Sequence, residues 1–147
     1  MSLEESISLL VAHCRAGEDG YRRASQLMFI EPELAHFFEE QAQARGRAAQ
    51  ALEHRLQAAG RKLIAQPLIQ PPSEGWSWPA AEDQTPEAVI ESCHRGEERA
   101  LRAYEQTMAK VPDDWRWELN SQYQSMRSAR AKLHSWLSGH ESQPQRS

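Results

Sequence analysis

The sequence predicts an all-α fold, a single four-helix bundle built from two helical hairpins joined by a long crossover. Three observations predict it. Apolar residues recur at steps of three and four through four segments, which lines one face of each as a helix. The first and third junctions between segments are short, and the middle one, 61–85, is long. The first and third segments also share a core, Cys-x-x-Gly-Glu, at an offset of 79 residues.

The first helix is expected from Leu3 to Met28, with Ile7, Leu10, Val11, Cys14, Tyr21, Ala24 and Met28 facing inward. Gly17 and Gly20 interrupt it, each costing up to about 1 kcal/mol against Ala. They mark a close approach of another backbone or a local irregularity. Pro32 suits the first turn of a second helix running to Ala59, and Gly60 suits its stop. Leu34, Phe37, Phe38, Gln41, Ala44, Arg45, Ala48, Leu52 and Leu56 trace its inner stripe.

The connector 61–85 is rich in proline and carries Trp76 and Trp78. It is expected to walk the length of the bundle and to pack Leu68, Ile69 and both tryptophans on it; a docking role for the two tryptophans is the alternative. Thr85 and Pro86 then open a third helix, as N-cap and first helical residue. Its stripe is Val89, Ile90, Cys93, Glu97, Ala100, Leu101, Tyr104 and Met108. The turn 111–114 leads to a fourth helix lined by Trp115, Leu119, Gln122, Met126, Ala129, Leu133 and Leu137. The domain thus covers 1–138, with 139–147 expected as a disordered polar tail.

Composition narrows the function classes. A chain of 147 residues, 39% hydrophobic and 26% charged, is one globular domain. Net charge is −4 and no Lys/Arg-only run occurs, so neither nucleic acid nor an anionic membrane is an expected partner. No apolar stretch reaches the roughly 18–20 residues of a membrane span. The N-terminal Met-Ser-Leu-Glu-Glu-Ser lacks the features of a signal peptide, so a cytoplasmic location is expected. Cys14 and Cys93 are then expected reduced, as small core residues.

Setting Leu10–Gln26 against Val89–Glu105 pairs Cys14 with Cys93, Gly17 with Gly96 and Glu18 with Glu97. The second and fourth helices match more weakly at an offset of 81, where Gln41 meets Gln122. Two hairpins with one long connection give the ferritin-like arrangement of helices.

Glu18 and Glu97 are the candidate functional residues, because the stripe turns both inward and a buried carboxylate needs a partner, a proton or a metal. Three readings stand. One is a polar core in which Gln41, Arg45, Gln122 and Arg127 satisfy Glu18 and Glu97, with Arg45 or Arg127 neutralising a carboxylate through two parallel hydrogen bonds. Another leaves both glutamates solvated at the bundle edge. The last is a metal pair of iron or manganese on Glu18 and Glu97, with His94 as a further ligand three residues before Glu97. Di-iron bundles also need Glu-x-x-His on the other two helices. At the mirrored depth those helices read Gln41-Ala-Gln-Ala44 and Gln122-Tyr-Gln-Ser125 instead. The remaining histidines, His13 among them, are expected to be solvated.

The run Cys14-Arg-Ala-Gly-Glu-Asp-Gly-Tyr21, its echo from Cys93 to Glu105, and Ala42-Gln-Ala-Arg45 followed by Leu52 resemble a bacterial four-helix-bundle family known as domain of unknown function 2383. The resemblance covers about residues 5 to 137 and implies a ferritin-like fold with no established activity. The Trp-containing connector departs from that family. Two expectations follow. The first is a non-enzymatic bundle acting through a protein partner, self-association or a small ligand, without cofactor. The second is a ferritin-like metal-binding or oxidoreductase protein using the inward glutamates.

Overall fold

The computed structural model describes residues 2–64 and 76–142; for 140–142 it describes the backbone alone. Among these residues the chain is all helical: α1 (Leu3–Leu27), α2 (Pro32–Ala58), a 3-10 turn (Ala81–Asp83), α3 (Pro86–Met108) and α4 (Asp113–Ser142). The expected contacts of Leu68 and Ile69, and the end of the chain from 143, lie outside the described residues.

Local chemistry sets the helix ends. Ser2 caps α1 in a capping box: its hydroxyl accepts from the Glu5 amide at 3.1 Å, and the Glu5 carboxylate accepts from the Ser2 amide at 3.0 Å. Pro32 and Pro86 occupy first turns, and the Thr85 hydroxyl accepts from the Ala88 amide. Gly60, at φ 73°, closes α2 while the Arg61 amide donates back to the Leu56 carbonyl. At the other end of the chain, α4 continues through Gly139 to Ser142, past the expected start of the polar tail. One glycine costs a helix only about 1 kcal/mol, and the residues beside it are tolerated there.

α1 packs against α2 and α3, and α4 against α3. α2 and α4 meet through longer side chains, Phe37 on Trp136 at one end and Arg55 on Glu118 at the other. Those contacts make α2 and α4 antiparallel. Cys14 meets Tyr104 while Gly20 lies level with Gly96, so α1 and α3 are antiparallel too. α2 and α3 therefore face each other across the diagonal and run the same way. After α2 ends, Arg61 pairs with Glu4 and the Ile64 amide donates to Ser8, both near the start of α1. α3 begins at the far end, where Pro86, Leu34 and Trp136 line one small cavity.

Two apolar clusters fill the interior. One holds Ile7, Leu10, Cys14, Leu52, Leu56, Tyr104, Trp115 and Leu119. The other holds Tyr21, Met28, Phe38, Trp76, Val89, Ile90, Cys93 and Leu133. Between them Gly17 of α1, Arg45 of α2 and Gly96-Glu97 of α3 form a layer at mid-height. The glycines do not break their helices. They make room for side chains: the Arg45 stem crosses Gly17, and the Trp76 indole wedges between Gly20 and Gly96. A Cβ at Gly20 or Gly96 would stand 2.3 or 2.2 Å from that indole, far inside contact distance.

Candidate functional site

Arg45 and Glu97 meet at the centre of the bundle. Both are 2% exposed or less. Arg45 Nε donates to Glu97 Oε1 at 3.2 Å and Nη2 to Oε2 at 2.5 Å, a two-pronged pair. The guanidinium also stands 5.8 Å from the centre of the Tyr21 ring. Burial works against the charge on Arg45, but Glu97 and the surrounding groups outweigh it and hold the guanidinium above its ordinary value. Beside this pair, Cys14 Sγ lies 3.2 Å from the Tyr104 hydroxyl, which donates to Gln122 Oε1 at 2.6 Å. Burial pushes the Cys14 thiol up to about 11, and the Cys93 thiol well above its usual value.

The six expected polar-core residues separate in the structure. Arg45 and Glu97 come together, and Gln122 joins Tyr104 instead of a glutamate. Gln41 is half-buried one turn before Arg45, with its Oε1 buried and without a hydrogen bond. Glu18 leaves the centre. It lies on the outer α1–α2 edge over Gly46, 3.0 Å from Arg15 and 3.8 Å from Arg22. Arg127 is exposed, over the ring of Tyr123 at 5.8 Å. The asymmetry has a cause in the repeat: the position on α4 that matches Arg45 at the 81-residue offset is Met126, which is buried. No arginine faces Glu18 from α4, and Arg127 is one residue further round the helix, about 100° away.

His94 also turns away from Glu97. Its Nδ1 lies 3.1 Å from Glu98 Oε1, and its ring 6.1 Å from that of His134. A Glu-x-x-His spacing does occur in α2, Glu33 to His36, but at the exposed first turn, where His36 pairs with Glu40. Among the described residues no group of three or more His, Cys, Asp and Glu side chains converges to hold a metal ion. The donor chemistry of the layer does not suit an iron or manganese pair. Arg45 occupies both oxygens of Glu97, and Glu18 is on another face.

His13, expected in solvent, sits in the seam between α1 and α3 with Nδ1 buried and unpaired. Burial, and then Arg99, lower it to about 4. The repeat held the signal, because His13 aligns with Ser92, and Ser92 is fully buried. Trp76 is buried and Trp78 half-buried, their rings 6.5 Å apart. Trp76 also packs edge-on to Tyr21 at 5.0 Å, so the indole roofs the polar layer on the α1–α3 side.

Compared with known proteins, the chain matches no family model, and no curated protein is significantly similar to it. No helix among the described residues is long and apolar enough to cross a membrane.

Proposed function

We propose that this chain is a non-enzymatic cytoplasmic bundle of ferritin-like arrangement that works by binding, with a protein partner or a small ligand, and that it is related to the family named above. The antiparallel neighbours and the return of the chain between Ile64 and Pro86 support the ferritin-like arrangement. The buried Cys14, Gly17, Cys93, Gly96 and Glu97 support the family resemblance, since its shared motif falls on residues the packing uses.

One observation carries the non-enzymatic reading. The central carboxylate, where bundles of this arrangement place redox metals, is clamped by a guanidinium in two hydrogen bonds. A cation that cannot be deprotonated stands where a metal would bind. Recognition is then left to the surface. Elemental analysis after aerobic Fe(II) loading and desalting tests this. Wild type is expected to retain no more iron than the Glu18→Gln/Glu97→Gln double variant. About two irons per chain, lost in that variant, would overturn it and make the chain a metal-binding protein.

A further inference from the structure

We propose that the groove between α3 and α4 is an anion site that takes a phosphoryl group, either free phosphate or a phosphate ester. This rests on the reading of the chain as a binding protein and supplies the chemistry of its ligand.

The groove has a volume of about 580 Å³ and is lined by His94 and Glu98 from α3 and by Arg127, Ser128, Arg130 and His134 from α4. Its residue spacing puts Arg127, Arg130 and His134 on one helix face, since 127, 130 and 134 follow steps of three and four. Elsewhere on this acidic chain most arginines are neutralised: Arg15, Arg22, Arg45, Arg55, Arg61, Arg95 and Arg116 all pair with carboxylates. Arg127 and Arg130 make no such pair with a described residue. Arg127 lies over the Tyr123 ring instead, a contact that leaves its N–H groups to donate elsewhere. The one carboxylate in the groove, Glu98, is engaged with His94.

The donor set decides the ligand class. Two guanidiniums supply planar, permanently charged forks, Ser128 a hydroxyl, and His134 an imidazole. A carboxylate would be satisfied by one such fork. A tetrahedral phosphoryl group has three oxygens to share among several donors and a charge near −2 at neutral pH, which suits the whole set. A divalent cation would face the two guanidiniums, and the two histidine rings with Glu98 form no metal-holding cluster. An open, polar groove also differs from the mostly apolar pockets that hold uncharged small molecules.

The test titrates inorganic phosphate into the full chain at low ionic strength, following backbone amides by NMR, with chloride at equal ionic strength as control. Saturable shifts are expected at Ser128, Arg130 and His94, absent with chloride. Arg127→Gln/Arg130→Gln is expected to weaken binding at least tenfold with the melting temperature unchanged, while Arg23→Gln, on an exposed position of α1, leaves affinity as it was. A repeat with glycerol 3-phosphate separates the sources: tighter binding than phosphate assigns the site to an ester, weaker binding to the free anion. Shifts that never saturate, or that persist in the double variant, would overturn the proposal. That failure leaves the iron-loading result untouched, and iron uptake would in turn overturn the non-enzymatic reading without affecting phosphate binding.

Discussion

Arg45 and Glu97, 52 residues apart in sequence, join opposite helices through the middle of the bundle with hydrogen bonds of 3.2 and 2.5 Å. The contact lies on the diagonal from α2 to α3, so it links one hairpin to the other. The stem of Arg45 reaches that position by passing Gly17, where a Cβ would stand 3.2 Å from its Cγ. Sliding either helix by one turn, about 5.4 Å, would leave both charges in apolar surroundings. The pair therefore disfavours a one-turn slip of one hairpin against the other.

Removing one partner is then expected to cost more than removing both. Glu97→Gln leaves a buried guanidinium without its counter-charge, and about 3–5 kcal/mol of stability should be lost. Arg45→Met/Glu97→Leu replaces the pair by apolar groups of similar size and should recover most of that loss. Urea unfolding of the three proteins decides it. A single variant as stable as wild type would mean that the pair is not buried in solution.

Trp76 and Gly96 make a second coupled pair, of the steric kind. Gly96→Ala puts a methyl where the indole lies, and overpacking of this sort costs about 1–3 kcal/mol. Trp76→Ala alone should cost about 3–5 kcal/mol. In the Trp76→Ala background the methyl meets no ring, and Gly96→Ala should become neutral or stabilising by up to about 1 kcal/mol, because alanine is the better helix former. A double-mutant cycle reads the sign change. Two penalties that simply add would show that the indole is not held in the glycine notch.

Helix number, type and approximate extent were legible because each segment carries a regular apolar stripe and cap residues such as Thr85-Pro86. The central pair was half legible. Arg45 and Glu97 both belong to the expected polar core, but folding the first hairpin about its turn brings Arg45 level with Glu18, and nothing in the sequence pairs it with Glu97 instead. Periodicity places a residue on a face to within a step, and one step of about 100° separates buried Met126 from exposed Arg127. The repeat suggested two equivalent glutamates, yet the matching cation is present on α2 only. Tertiary geometry also decided what the glycines accommodate. Nothing in the spacing of Gly20 and Gly96 names Trp76, which comes from a connector without helical period.

His13 should make stability depend on pH. Buried in the α1–α3 seam and close to Arg99, it is lowered from 6.5 to about 4 in the folded chain. The unfolded chain takes up this proton first as pH falls, so the stabilisation is complete above about 6.5 and is lost between there and about 4. Because the imidazole is partly exposed, about 2 kcal/mol should disappear between pH 7 and pH 4.5. His13→Gln has nothing to titrate at this position, and its stability should fall less over the same interval. Thermal melts at half-unit steps make the comparison. Parallel curves for the two proteins would place His13 in solvent.

Tyr104 links the apolar half of the core to the polar layer through one hydroxyl, which meets Cys14 Sγ and donates to Gln122 Oε1. Tyr104→Phe keeps the ring and removes that hydroxyl, leaving Gln122 with an unpaired oxygen and costing about 1–2 kcal/mol. Gln122→Leu in the same chain should restore part of the loss, because no polar atom then stands unpaired. Thiol labelling supplies a second readout. With burial raising Cys14 to about 11, wild type should label slowly at pH 8, and only as fast as the bundle opens. Tyr104→Phe weakens the packing around that thiol and should label faster by the factor its lost stability implies, about tenfold for 1.4 kcal/mol. Equal labelling rates with reduced global stability would mean that Cys14 is exposed by an opening that leaves Tyr104 in place.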